Sequence, residues 1–161
     1  MRSILIAGLV AVFAVSARAE EKGDLAAKMK DAKVSLEKGI AASKAKGNPI
    51  SAKEVEDGKL QLSVYTAKDG SFTEVIVDHK TGKLADSKPI SSGDDLTAAK
   101  SQDEALRKGK TSLQAAVSKA VKSNKGYKAV SAMPSLKDGH PTAEITLMKG
   151  SESKTVTEAL D

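Results

Sequence analysis

The chain contains two histidines, His79 and His140, and no cysteine. Asp78 precedes His79, and Asp69 and Asp86 are near in sequence, so a loosely held metal is the first chemistry to weigh. Zinc takes about four converging nitrogen or sulfur ligands, which one turn histidine among aspartates at these spacings does not supply. Neither histidine has an evident Ser or Cys partner for nucleophilic catalysis. Asp94-Asp95 and Asp103-Glu104 lack the spacing of a calcium loop and read as charges at helix starts. Gly70 and Gly82 are not embedded in the strand–glycine loop–helix order that cradles phosphate, and they read as turn residues. These residue types therefore point to no catalytic, cofactor-binding or metal-ligating set, and the protein is expected not to be an enzyme. Tyr65 and Tyr127 remain. A groove lined by either tyrosine with converging polar groups would favour a small ligand, whereas a bare sheet edge would favour a protein partner, because unpaired strand groups template an added strand.

Composition narrows the field. The 26 basic residues exceed the 21 acidic ones, giving a formal charge of +5 over 161 residues. Two of the basic residues, Arg2 and Arg18, lie in a leading segment, and beyond them Arg107 is the only arginine. The lysines are mixed closely with Asp and Glu, and the aromatics after residue 19 are Tyr65, Phe72 and Tyr127. Phosphate recognition favours arginine forks, and single strands need aromatic stacking platforms. No nucleic-acid partner is expected; a lysine-rich solvated surface is.

The leading segment has the secretory pattern. Arg2 is a short basic region, Ile4 to Val15 is apolar, and Ala17-Arg18-Ala19 is a small-x-small cleavage site. The apolar run is too short for a good spanning helix. Residues 1–19 are thus expected to be a signal peptide cleaved after Ala19, leaving a periplasmic or secreted product with no stable membrane anchor. Without cysteine, neither a lipid attachment at the cleavage site nor a disulfide is available.

The rest of the chain is organised around Gly58 to Leu84. Lys59 to Thr66 and Ser71 to Val77 have strand composition and flank Lys68-Asp69-Gly70, a strong hairpin signal. Leu60, Leu62 and Val64 form one apolar face of the first strand; in the second, Phe72 and Ile76 face one way and Val75 and Val77 the other. Upstream, Leu25, Met29, Ala32, Leu36 and Ile40 mark a helical stripe over 24–46, stopped by Gly47 and Asn48-Pro49. Val34-Ser35-Leu36 reads equally well as a fresh start with Ser35 as N-cap. Ile50 to Glu56 reads as a short strand. Downstream, Pro89, Ser91-Ser92-Gly93 and Asp94-Asp95 have linker chemistry, with a helix restart near Asp94 or Ser101. A helix is expected over 104–125, with Leu106, Leu113, Val117 and Val121 on its stripe, followed by strands over 127–133, 142–148 and 154–161.

The two halves can be superposed as sequences. Lys33-Val34-Ser35-Leu36 matches Lys110-Thr111-Ser112-Leu113 at an offset of 77, and Asp57-Gly58 matches Asp138-Gly139 at 81. A helix followed by three strands thus occurs twice. The predicted fold class is α+β: two tandem modules, each a helix packed on a small antiparallel β-sheet, over 20–86 and 104–161 with a linker at 87–103.

The first copy, with Ser35-Leu36 opening a helix, Asp57-Gly58, and a hairpin closing on Val77-Asp78-x-x-Thr81-Gly82-Lys83-Leu84, resembles the PepSY domain family. The Asp-x-x-Thr-Gly-x-Leu closing is its most specific part. The second copy resembles it through helix and strands but lacks the Thr-Gly turn. The resemblance implies an exported module with a helix on an antiparallel sheet, no catalytic residues, and a role in binding, including modulation of a peptidase or another envelope protein. A periplasmic small-ligand or metal-binding protein is the alternative.

Overall fold

The computed structural model describes residues 24–161; the expected signal peptide lies outside them. A short helix α1 spans 24–29, and after a turn α2 runs over Leu36–Ser43 and tightens into a 3-10 turn at Lys44–Lys46. The strands β1 (Asn48–Glu56), β2 (Lys59–Lys68), β3 (Ser71–Val77) and β4 (Leu84–Ile90) follow, then α3 (Gly93–Lys108) and α4 (Leu113–Ser123), then β5 (Lys128–Lys137), β6 (His140–Lys149) and β7 (Glu152–Ala159). The break at Ser35 is real: its side chain accepts from the Lys38 N–H at 3.3 Å, so the upstream stripe is two helices.

All strands join one antiparallel sheet in the order β4-β3-β2-β1-β5-β6-β7. The expected α+β class holds, but in place of two small sheets there is one of seven strands. The three Asp-Gly turns at 57, 69 and 138 have positive φ at both residues (46° and 72°, 51° and 78°, 50° and 81°). This is the geometry of two-residue hairpins whose twist matches the flanking strands. The centre of the sheet is the β1–β5 pair, where Ala52 stands opposite Ala132 and Lys53 opposite Ser131.

Alternation then sorts the side chains. Ala52, Leu62, Val64, Val75 and Val77 from one half, and Ala132, Ala143, Ile145 and Leu147 from the other, meet Leu36, Ile40, Leu113 and Val117 of α2 and α4 in one core. On the opposite face Ile50, Tyr65, Ala67 and Phe72 pack under Ala99 and Leu96 of α3. Burying each large aliphatic side chain contributes about 1.5–3 kcal/mol, so the core containing both α2 and α4 binds the halves into one body.

Two expectations are corrected. Residues 87–103 are not a linker: they are the end of β4 and most of α3, because Ala99 and Leu96 find an apolar sheet face that their polar local sequence does not advertise. The helix expected over 104–125 is likewise two. Leu106 belongs to α3, and the chain breaks at Gly109, where a Cβ would lie 2.7 Å from the Leu160 carbonyl oxygen, before Ser112 caps α4. The Asp78 turn closes as its sequence suggests. The Asp78 carboxylate accepts from the Lys80 and Thr81 N–H groups, each at 2.8 Å, and these bonds hold its pKa below the usual range. Gly82 in that turn has a φ of 76°.

Candidate functional site

The sequence-level candidates fall in two places. His79 and His140 are separated: His79 follows the Asp78 turn, and His140 opens β6. The His79 backbone carbonyl accepts from the Lys33 and Val34 N–H groups at 2.9 and 3.0 Å, while its Nδ1 is buried without a partner. Among the described residues no three His, Cys, Asp or Glu side chains gather as a metal site.

Tyr65 sits on the α3 face inside a satisfied polar cluster. Its hydroxyl donates to Glu56 at 3.4 Å, Lys53 pairs with Glu56 at 2.7 Å and lies 5.6 Å from the Tyr65 ring centre, and Ser51 donates to Gln102 at 2.8 Å. Burial and then the neighbouring Glu56 push the Tyr65 pKa up. Every one of these groups has a partner, and the associated cavity is only about 70 Å³. The cluster ties α3 to the sheet.

Tyr127 differs. It lies between α4 and β5 and borders a cavity of about 160 Å³ together with Met29, Val34, Glu37, Glu54 and Val121. The cavity is therefore walled by α2 and β1 from one half and by α4 and the start of β5 from the other. On its far side the Tyr127 hydroxyl donates to Glu152, and Lys154 lies 4.3 Å from the ring centre, which fixes the ring.

Glu54 is the chemical centre of this cavity. It is 1% exposed, and neither carboxyl oxygen has a hydrogen-bond partner. Burial, and then the nearby Glu37 carboxylate, raise its pKa from 4.5 to about 7. Leaving a buried carboxyl without donors is costly, and such groups cluster at functional sites. Alternation brings it there, two residues beyond Ala52 on the face that meets α2 and α4. Lys53 pairs with Ser63 but Val55 pairs with Leu60, so Gln61 and Leu62 together oppose Glu54. The extra residue is on β2, so Glu54 keeps the face that alternation assigns it.

Compared with protein-family models, curated proteins and solved structures, the chain matches none.

The sequence offered Tyr65 or Tyr127 alike as possible groove residues, and Glu54 not at all. It stands in an ordinary Lys-Glu-Val-Glu run. The one available signal was its place two residues beyond Ala52 in a strand whose Ala52 face is apolar, which alternation extends to Glu54.

Proposed function

We propose that the protein is an exported, non-catalytic binding protein made of two PepSY-like copies fused edge to edge, and that its ligand occupies the Glu54 cavity between them. The observation that carries the ligand assignment is the Glu54 carboxyl, buried with both oxygens unpartnered in a cavity that Tyr127 borders. A structural role alone leaves that cost without return.

The duplication is supported by repeated contacts at the sequence offsets. Lys33 and Val34 donate to the His79 carbonyl, and Lys110 and Thr111 donate to the Leu160 carbonyl. The β2–β3 pair Val64–Val75 corresponds to the β6–β7 pair Ile145–Val156, 81 residues on. Ala52 pairs with Val64 and Ala132 with Ile145, 81 residues on from Val64, so through their partners Ala52 corresponds to Ala132, and these two residues pair with each other. A self-equivalent pair is what a two-fold interface between like units produces. Export rests on the Ala17-Arg18-Ala19 pattern; an intact mass beginning at Glu20 tests it. Among the described residues no helix is long and apolar enough to cross a membrane.

A second reading, a protein partner such as a peptidase, rests on the sheet edges: β4 and β7 each pair on one side only. A fragment screen read by backbone amide shifts separates the two. Hits grouping at Val34, Glu37, Tyr127 and Ala129 support the cavity; no small-molecule hits there, with a peptidase perturbing the amides of β4 or β7, would transfer the function to the edges.

A further inference from the structure

The inner end of the cavity is acidic. Glu54 presents two oxygens without donors, and Glu37 in the first turn of α2 lines the same space. Neither acid belongs to an ion pair among the described residues. Lys33 and Lys128 also border the cavity, but both are exposed and neither bonds Glu54. Apart from Ser35, the remaining wall is apolar, chiefly Met29, Val34, Val121 and the Tyr127 ring.

Chemistry sorts the possible occupants. An anion would meet two carboxyl groups. A calcium ion takes about six to eight oxygen ligands, and two acids with apolar walls do not furnish them. A purely apolar molecule would leave the Glu54 oxygens as unsatisfied as they are without it. A primary ammonium group carries three N–H donors and a positive charge, enough to bridge both acids with charge-assisted bonds. Its carbon chain would lie along Val34, Val121 and Tyr127. A cavity of about 160 Å³ is close to the roughly 150 Å³ that accepts a benzene-sized molecule.

Resting on the cavity as the ligand site, we infer that its occupant is a small primary ammonium ion with an apolar chain of about four to six carbons, held by Glu54 and Glu37. The two acids select its charge.

Separate titrations of the full chain, isotopically labelled for amide detection, with n-butylammonium, 1-butanol, butyrate and calcium at matched ionic strength test the assignment. n-Butylammonium should give saturable shifts at Val34, Glu37, Tyr127 and Ala129, at least about tenfold tighter than either four-carbon analogue, the gain expected of one charged hydrogen-bonding group. Glu54→Gln should weaken it about tenfold or more while distant amides keep their positions. Should that variant fail to fold, Glu37→Gln, at a half-buried helix position, carries the same readout. Equal or tighter binding of 1-butanol or butyrate at those amides overturns the ammonium assignment and leaves the cavity as a ligand site. Tighter saturation by calcium there does the same. If no probe moves these amides, the cavity reading and the ammonium assignment both fall.

Discussion

The halves containing β1–β4 and β5–β7 have the same frame and differ at one strand pair and one edge. Each opens its helix with a serine cap: Lys38 N–H to Ser35 at 3.3 Å, Ala115 N–H to Ser112 at 3.2 Å. Each turns its first hairpin on Asp-Gly, and each ties the chain before the helix to the end of its third strand through two N–H groups on one carbonyl. The difference lies in the first hairpin. From Ser131 to Lys137 the β5–β6 register runs without a shift, and Pro134 and Ser135 stand in the region where β1 carries Glu54. In β1, Glu54 follows Ala52 on the core-facing side and stands beside Glu37. Caps, turns and backbone ties are thus enough to repeat a frame, while a single acid at a core-facing strand position is enough to give one half an acidic cavity. The halves also end differently: β4 covers β3, whereas β7 has no outer neighbour.

The hardest test of this comparison is to strike the line where the halves meet. Ala52 and Ala132 are each 0% exposed and directly paired. Ala132→Asp buries a charge with no partner, and a loss of roughly 3–5 kcal/mol is expected. Because one core contains α2 and α4 together, hydrogen exchange should accelerate in β2 and β6 alike. Protection lost only in β5–β7 would show that the halves fold separately.

Glu54→Gln should have the next largest effect, and it should depend on pH. The folded pKa of about 7 lies above the ordinary glutamate value of 4.5. Between those values the folded chain keeps a proton that the unfolded chain has released, so stability falls as pH rises from about 4.5 through 7. At about 1.36 kcal/mol per pKa unit, the loss by pH 8.5 approaches ~3 kcal/mol. The Gln variant should be spared it, gaining on wild type as pH rises and showing no such gain below pH 4.5. Urea melts across this range that keep the two in parallel would mean that the carboxyl is hydrated.

A smaller effect probes the backbone ties. Gly109 corresponds to Ala32 at the offset of 77. An added methyl at Gly109 would meet the Leu160 carbonyl oxygen at 2.7 Å, so Gly109→Ala should cost about 1–3 kcal/mol. Ala32→Gly in the other half should cost less than about 1 kcal/mol. Thermal melts with the opposite ranking would show that the two ties are built differently.

The smallest contrast is an expected equality. Ser35→Ala and Ser112→Ala each remove a cap and should each cost about 1 kcal/mol, within a few tenths of one another. A large inequality in denaturant midpoints would mark one helix as held mainly by its packing and the other by its cap.

Much of this fold was legible one short window at a time. The Ser35 cap, the Asp-Gly hairpins, the alternation that separates Val75 and Val77 from Phe72, and the repeat at 77 and 81 are all local signals; the Ser112 cap was hidden inside one expected helix. They set φ, ψ and the direction of side chains before any long-range contact forms. Residues 87–103 read as a linker for the same reason: Pro89 and Ser91-Ser92-Gly93 have turn chemistry, and α3 shows its apolar face only against Ile50, Tyr65 and Phe72. The joining of β1 to β5 was not written in either strand, since strand edges pair through backbone groups that every residue has. Nor could the site be read from residue types. A glutamate among lysines in a strand is ordinary; it becomes a buried, unpartnered acid only when α2 and α4 close over it from both halves.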